Sequence, residues 1–398
     1  MGRVLQMVLF FGVGSLLVAS VHRWLWLRLV RDPALPGVLR HLATGLIVGL
    51  AVFTVAGPAI ARMTRSDLGR TVATAAFTWL GVLFVFMLAL SGAELFRAAA
   101  GLWTRYLGGP DEALDPERRL FFARALGGGA SLGAVAAGAT AFRSANKPPK
   151  QVEVEVPIRD LPAALDGFRI VQISDLHVSA TITRPYVEEV VRMANAAAPD
   201  MVALTGDMMD GSVAMLRDDM APIGTLQARH GVFYVTGNHE YYSGADAWLA
   251  HMRSLGVQPL RNEHVRLEHD GAALDVIGVD DWTAGRFGGD HGPDLKRATA
   301  DRDATVKSVL LAHQPKQIAE AAEREIDLTL SGHTHGGQIW PFGYLVKLVQ
   351  PYVAGLHWHT ARSAIYVSRG TGYWGPPMRL GAQHELTVLT LRRAGANA

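Results

Sequence analysis

The sequence predicts a bundle of three or four membrane-spanning α-helices followed by an α/β or α+β domain, and three observations carry that reading. The first third holds long apolar stretches free of charge. A polar, proline-bearing linker then ends at Lys150. Beyond it, short apolar strands recur, each followed closely by Asp, His or Asn. At 398 residues the chain is long enough for more than one domain. Its mean hydropathy of +0.16 is high for a soluble enzyme because the apolar excess lies at the amino-terminal end.

Val4–Val21, Leu42–Ala61 and Thr71–Ala93 carry no charged residue over 18, 20 and 23 positions, so each can cross a bilayer as a helix. Buried core helices are the competing reading, but short Arg-rich connections between the three favour a membrane. Ala125–Phe142, bounded by Arg124 and Arg143, is richer in Gly and Ala than in Leu. It reads as a fourth span. Alternatively, with Glu117-Arg118-Arg119-Leu120-Phe121-Phe122 before it, it resembles a twin-arginine export signal, with Ala139-Thr140-Ala141 as the cleavage site. The position after three spans departs from that pattern. With four spans and the amino terminus outside, the inside connections carry Arg23, Arg28, Arg31, Arg40, Arg97, Arg105, Arg118, Arg119 and Arg124. The outside segments carry Arg3, Arg62, Arg65, Arg70, Arg143, Lys147 and Lys150. This small bias places the carboxyl-terminal domain outside the cytoplasm.

Asn146-Lys147-Pro148-Pro149-Lys150 is the linker, so residues 1–146 form the membrane module and 151–393 the second domain. Alternation begins at Val152-Glu153-Val154-Glu155-Val156, and Val187–Ala198 reads as the domain's first helix, ended by Pro199. The chain has no cysteine, so a bound metal must take nitrogen and oxygen ligands. A net charge of +2 without basic runs gives no support for nucleic acid as a partner.

The chemistry is concentrated just past the strands. Ser331-Gly332-His333-Thr334-His335-Gly336-Gly337-Gln338 follows the apolar run Ile326–Leu330, and its two imidazoles among glycines suit a metal site. The spacing alone fits two faces of a strand end equally well. Further candidates recur in the same setting: Asp175-Leu176-His177 after Phe168–Ile173, Gly206-Asp207-Met208-Met209-Asp210 after Met201–Leu204, Gly237-Asn238-His239-Glu240 after Val232–Val235, and His313 after Val309–Leu311. In α/β sheets ligands gather at the carboxyl ends of strands, so five segments can converge on one crevice.

Asp-x-His, Gly-Asp-x-x-Asp, Gly-Asn-His-Glu, a lone His and Gly-His-x-His, in that order from Asp175 to His335, resemble the calcineurin-like metallophosphoesterase superfamily over roughly residues 151–393. The whole chain is most similar to its membrane-associated bacterial branch. The resemblance implies a four-layer sandwich of two mixed sheets flanked by helices. It implies two divalent metal ions, Mn, Fe, Zn or Co, with Asp175, His177 and His335 on one, Asn238, His313 and His333 on the other, and Asp207 bridging. A water activated between the metals would attack phosphorus in line. His239, oriented by Asp210, would then protonate the leaving group. Asp210, just ahead of Gly211, also suits a plain turn.

The implied reaction is hydrolysis of a phosphoester, with lipid or envelope-precursor phosphodiesters and pyrophosphates, such as phospholipids or UDP-diacylglucosamine, as substrates. The partners are then the bilayer and a small-molecule or lipid phosphoester. The location is a bacterial inner membrane, multi-pass, with the domain on the extracytoplasmic side. A catalytically silent membrane sensor is the alternative; Asp207, Asn238 and His239, where decay would show, are intact. Glu240 reads as a helix cap or solvated residue. His230, His251, His264, His269, His291 and His384 read as surface or loop positions, and His357-Trp358-His359 as strand alternation. Ser368–Gly372 and Arg379 read as a loop closing the second sheet, with a border to the substrate as the alternative. Trp340–Trp358, apolar and aromatic, reads as packing under that sheet, with a loop dipping into a lipid interface as the alternative.

Overall fold

The computed structural model describes residues 2–63, 67–107 and 115–394; Arg65, counted in the charge bias, lies outside them. The chain divides into two units, Met1–Arg143 with Gly375–Met378, and Ser144–Trp374 with Arg379–Ala398.

The first unit contains α1 (Gly2–Trp26), α2 (Gly37–Met63) and α3 (Asp67–Leu107), and α4 (Pro116–Ala145) runs two residues past its end. All four are long and apolar enough to cross a membrane. The segment beginning at Pro116 is one continuous helix that includes Arg118, Arg119 and Ala139–Ala141. α3 overruns its charge-free stretch because Ala, Leu, Glu and Arg beyond Ala93 are good helix formers with no proline to stop them. At 41 residues it is about 60 Å long, twice a hydrocarbon core. On α3, Ala73, Ala76, Leu83, Phe86 and Leu90 recur at helical spacing and are buried, while Leu16, Leu17, Leu42, Leu46 and Val52 on α1 and α2 face outward. Apolar residues on the outer face are the reverse of a soluble bundle. Glu94 is ion-paired at 3.1 Å to both Arg28 and Arg97.

Among the described residues the second unit holds twelve strands: β1 (Lys150–Ile158), β2 (Arg169–Ile173), β3 (Met201–Leu204), β4 (Val232–Tyr234), β5 (Gln258–Pro259), β6 (Glu263–His269), β7 (Ala272–Gly278), β8 (Lys307–Leu311), β9 (Leu328–Ser331), β10 (Gly355–Trp358), β11 (Ala364–Val367) and β12 (Glu385–Arg393). They form two six-stranded sheets, ordered β1-β12-β2-β3-β4-β5 and β10-β11-β9-β8-β7-β6. Both are mixed: β2 to β5 are parallel but β12 is antiparallel to β2, and β7, β8, β9 and β11 are parallel but flanked by antiparallel β6 and β10.

Alternation along each strand makes the layers. Ile170 and Phe233 of one sheet meet Val276, Val309, Leu328 and Tyr366 of the other in a shared core. Val171, Ile173, Val202 and Leu204 point to the opposite face and bury against α5 (Arg184–Ala196), α6 (Val213–Met220) and, beyond α7 (Asn238–Ser243), α8 (Ala245–Ser254). Ile277, Leu310, Ile365 and Val367 do the same on the far side, against the short helices Leu295–Ala298 and Ile318–Glu323. The result is helix, sheet, sheet, helix. α5 starts three residues before Val187 because Pro185, with its fixed φ, sits in its first turn.

Candidate metal centre

The parallel strands place every candidate at one rim. Asp175 and His177 follow β2, Asp207 and Asp210 follow β3, and Asn238 and His239 open α7 just after β4. His313 follows β8, and His333 and His335 follow β9. Two neighbouring sets of carboxyl ends, one per sheet, therefore face the same crevice.

Among the described residues the side chains gather in three groups, one of them His177, Asp210 and His239. Ligand atoms of Asp175, His177 and His335 lie within 4.8 Å of one another, as do those of Asp207, His313 and His333. His177 Nε2 and His335 Nε2 are 3.1 Å apart, and His335 Nε2 is 3.4 Å from Asp175 Oδ1. Asp207 stands between the groups, with Oδ2 3.1 Å from His313 Nε2 and 3.8 Å from His177 Nε2.

These residues fit metal ions. His313 donates its Nδ1–H to the Thr205 carbonyl at 2.8 Å, which turns the Nε2 lone pair toward the Asp207 carboxylate. Two acceptors at that separation repel unless a cation or proton lies between them. Burial opposes charge on His313, but the neighbouring Asp207 carboxylate draws its pKa well up. His333 is pushed down to about 3 by burial and by His313, so it is a neutral imidazole able to ligate. The buried Asn238 Oδ1 has no hydrogen-bond partner among the described residues.

The backbone is bent to make this arrangement. Asp175, His177, Asp207, His333 and His335 all have φ between +51° and +70°, the left-handed region that non-glycine residues adopt at a cost of about 1–3 kcal/mol each. Side chains required at these positions preclude the glycine that would relieve the strain. Glycines instead stand where the loops touch: a Cβ on Gly332 would collide with Asp175 Oδ2 and Ser174 Oγ, and one on Gly237 with the Asp207 carboxylate.

Asp210 serves two histidines. Its Oδ1 accepts from His239 Nδ1 at 2.6 Å, and its carboxylate lies 3.1 Å from His177 Nδ1. Burial works against its charge, yet His177 and His239 hold its pKa far below the usual range. The turn reading of Asp210 therefore omits its main interactions. Burial likewise opposes charge on His239, but the Asp210 bond and nearby carboxylates lift it to about 9. His239 sits edge-on to the rings of Tyr242 and Trp374, at 5.3 and 5.9 Å between centroids.

Glu240 is the helix cap of the sequence reading rather than its solvated alternative, and several other supporting residues differ from that reading. Glu240 is fully buried, not solvated, and its carboxylate accepts from the backbone N–H groups of Gly237, Met208 and Asp207 at 2.7, 2.8 and 3.0 Å. Its sequence signal was the capping-box position three residues past Gly237. Arg379 lies in the loop between β11 and β12 and is buried beside the site; it donates to the carbonyls of His335 and Arg369 at 2.7 and 2.8 Å and to that of Gly372. No local pattern marks it. His384 and His269 are buried rather than exposed, His384 beside the Tyr186 hydroxyl at 3.2 Å and His269 2.9 Å from His230. His357 and His359 bond the Ala354 carbonyl and the Tyr352 hydroxyl and belong to no candidate metal group among the described residues. Only the second half of the Trp340–Trp358 stretch packs on the sheet, through Tyr352 and β10; Trp340, Tyr344, Leu345, Leu348 and Val349 are exposed.

Comparison with known proteins agrees with this geometry. A family described as calcineurin-like phosphoesterase matches residues 168–337. The chain is 38% identical over 334 residues to a cattle protein called transmembrane protein with metallophosphoesterase domain, covering 80% of this chain and 73% of that one. A zebrafish protein of the same description is 37% identical over 259 residues, covering 63% of this chain and 59% of its own. An uncharacterized metallophosphoesterase of Helicobacter pylori strain J99 is 41% identical over 239 residues, covering 59% of this chain and 63% of its own. The chain thus spans about three fifths of the fish and bacterial relatives, and similar proteins occur in vertebrates as well as bacteria.

Proposed function

We propose a function from one premise: this chain belongs to the calcineurin-like metallophosphoesterase family, whose members depend on two metal ions. It is a metallophosphoesterase, and the reading here is that it hydrolyses a phosphodiester or pyrophosphate carried by a lipid or envelope precursor. The observation that carries the reaction is Asp207 Oδ2, set between the two ligand groups with the His239–Asp210 pair beside it.

Asp175, His177 and His335 would hold one ion and Asn238, His313 and His333 the other, with Asp207 shared. Two divalent cations, drawn from Mn, Fe, Zn or Co, would supply a Lewis acid for the phosphoryl oxygens and a water of lowered pKa. Asp210 accepts the Nδ1–H of His177 and so turns its Nε2 lone pair into the site. The same carboxylate keeps His239 protonated at neutral pH, leaving Nε2–H to give its proton to the departing oxygen. Glu240 and Arg379 fix the loops that carry these groups.

Support for a lipid substrate is covalent attachment of this site to apolar helices. In this reading residues 1–146 are a multi-pass module in a bacterial inner membrane, and 151–393 the catalytic domain on its extracytoplasmic side, as the Arg distribution favours. The test uses the full chain in nanodiscs, stripped by chelator and reloaded with manganese, on bis-p-nitrophenyl phosphate and p-nitrophenyl phosphate. Metal-restored turnover, lost in Asp207→Asn, is expected. Metal binding without turnover on any ester would overturn the hydrolase reading in favour of a silent sensor.

A further inference from the structure

We infer that the exposed strip Trp340, Tyr344, Leu345, Leu348 and Val349, running from the metal centre, is a bilayer-docking surface that seats the active site on the lipid head-group layer. The inference rests on the membrane placement proposed above, not on the hydrolysis.

The strip begins close to the metal centre in sequence and is held to its rim. Gln338 is three residues beyond His335, and its side chain exchanges two hydrogen bonds with the backbone of Trp374, at 2.8 and 3.0 Å. Trp374 in turn borders His239. The strip is also firmly held at its base: Trp340 N–H donates to Leu380 O at 2.8 Å, Leu380 N–H to Gln338 O at 2.9 Å, and the Thr334 hydroxyl to Val353 O at 2.6 Å. Its exposure is therefore a built shape.

Helical hydrogen bonds continue from Gly343 to Gln350, so Tyr344, Leu345, Leu348 and Val349 share one face. That face is outward, with Leu348 79% and Tyr344 64% exposed, while Gln350 on the same turn is buried and reaches Gln314. A water-soluble surface would have the opposite polarity. Trp and Tyr with a flanking Lys347, here 5.7 Å over the Tyr344 ring, are the side chains that settle at a lipid interface.

A bilayer is the occupant the chain itself supplies. α4, apolar and long enough to span, ends at Ala145, and β1 starts at Lys150, a tether of at most about 18 Å. Nothing on that tether lets the second unit leave the membrane surface.

The cysteine-free sequence allows a direct test in the full chain. Leu348→Cys and, as an exposed control, Asp218→Cys carry a nitroxide in nanodiscs of phosphatidylcholine and phosphatidylglycerol, and collisions with oxygen and with a water-soluble nickel chelate are compared. Oxygen should dominate at Leu348 and the chelate at Asp218, each by severalfold. Chelate access at Leu348 equal to the control would overturn the inference. So would shielding from both reagents, which would mean that a second copy of the chain covers the strip. In a second arm, Leu345→Ser with Leu348→Ser should lower turnover of a phosphoester embedded in the disc about tenfold and spare p-nitrophenyl phosphate. Equal loss on both esters would also overturn it. The depth measurement needs no turnover, so failure of the hydrolase reading leaves it intact.

Discussion

Glu240→Gln tests the scaffold of the metal centre with almost no change of shape. In the native chain Oε2 accepts from Gly237 and Asp207 and Oε1 from Met208. Glutamine keeps one acceptor. If its oxygen faces Gly237 and Asp207, its amide confronts the Met208 N–H, donor against donor, in a fully buried place. One charge-assisted bond is lost, worth about 1.5–3 kcal/mol, and the surviving two fall to neutral strength, losing about 1 kcal/mol together. The sum is about 2.5–4 kcal/mol, which lowers the melting temperature of a domain this size by about 10 °C. Apparent manganese affinity should fall with it, because the Asp207 and Gly237 backbones move. Differential scanning fluorimetry of the full chain, with Glu188→Gln as control, measures this; Glu188 is an exposed partner of Arg184 whose loss should cost under about 0.5 kcal/mol. A Glu240→Gln midpoint equal to the control's would refute the reasoning.

Three further outcomes follow from particular contacts. Burial and the Arg379 charge hold His384 down at about 4, against about 6.5 unfolded, so its contribution is complete above pH 6.5 and is lost as pH falls toward 4, about 3 kcal/mol in all. Melting temperatures from pH 7.5 to 4.5 should drop along that limb, and His384→Gln should flatten it. Gly332→Ala drives a methyl into Asp175 and Ser174, displacing a ligand, and should cut turnover about a hundredfold together with bound manganese by elemental analysis. Normal metal content in that variant would be the contrary result. His239→Ala should lose about 10²–10⁴-fold on alkyl phosphodiesters but far less on p-nitrophenyl esters, whose leaving group needs no proton; equal losses would remove the acid role.

Legibility followed the range of the interaction. The apolar spans and most strands were readable because they are written in local period and length. The order of Asp175, His177, Asp207, Asn238, His239, His313, His333 and His335 was readable because each side chain sits just past its own strand. The exposure of Leu345 and Leu348 was misread, since composition reports that a segment is apolar and not which neighbours cover it. α3 ran long because helix propensity past Ala93 continued after the charge-free signal stopped.

The run of apolar spans ahead of a strand-rich domain, the absence of cysteine and the strand ends that carry the candidate nitrogen and oxygen ligands are local properties of the chain. How those candidates meet is a property of the packed structure alone. Five of the candidate ligand positions take left-handed backbone, His177 Nε2 and His335 Nε2 meet at 3.1 Å across 158 positions, and the carboxylate of Asp210 spans His177 and His239. The same holds for the cap of Glu240 on three amides and the buried grip of Arg379 on His335. The meeting of His177 with His335 needs both sheets packed, whereas the contacts of Asp210 and Glu240 join loops after β2, β3 and β4 of one sheet, and all of them depend on excluding water around charges that the unfolded chain leaves solvated.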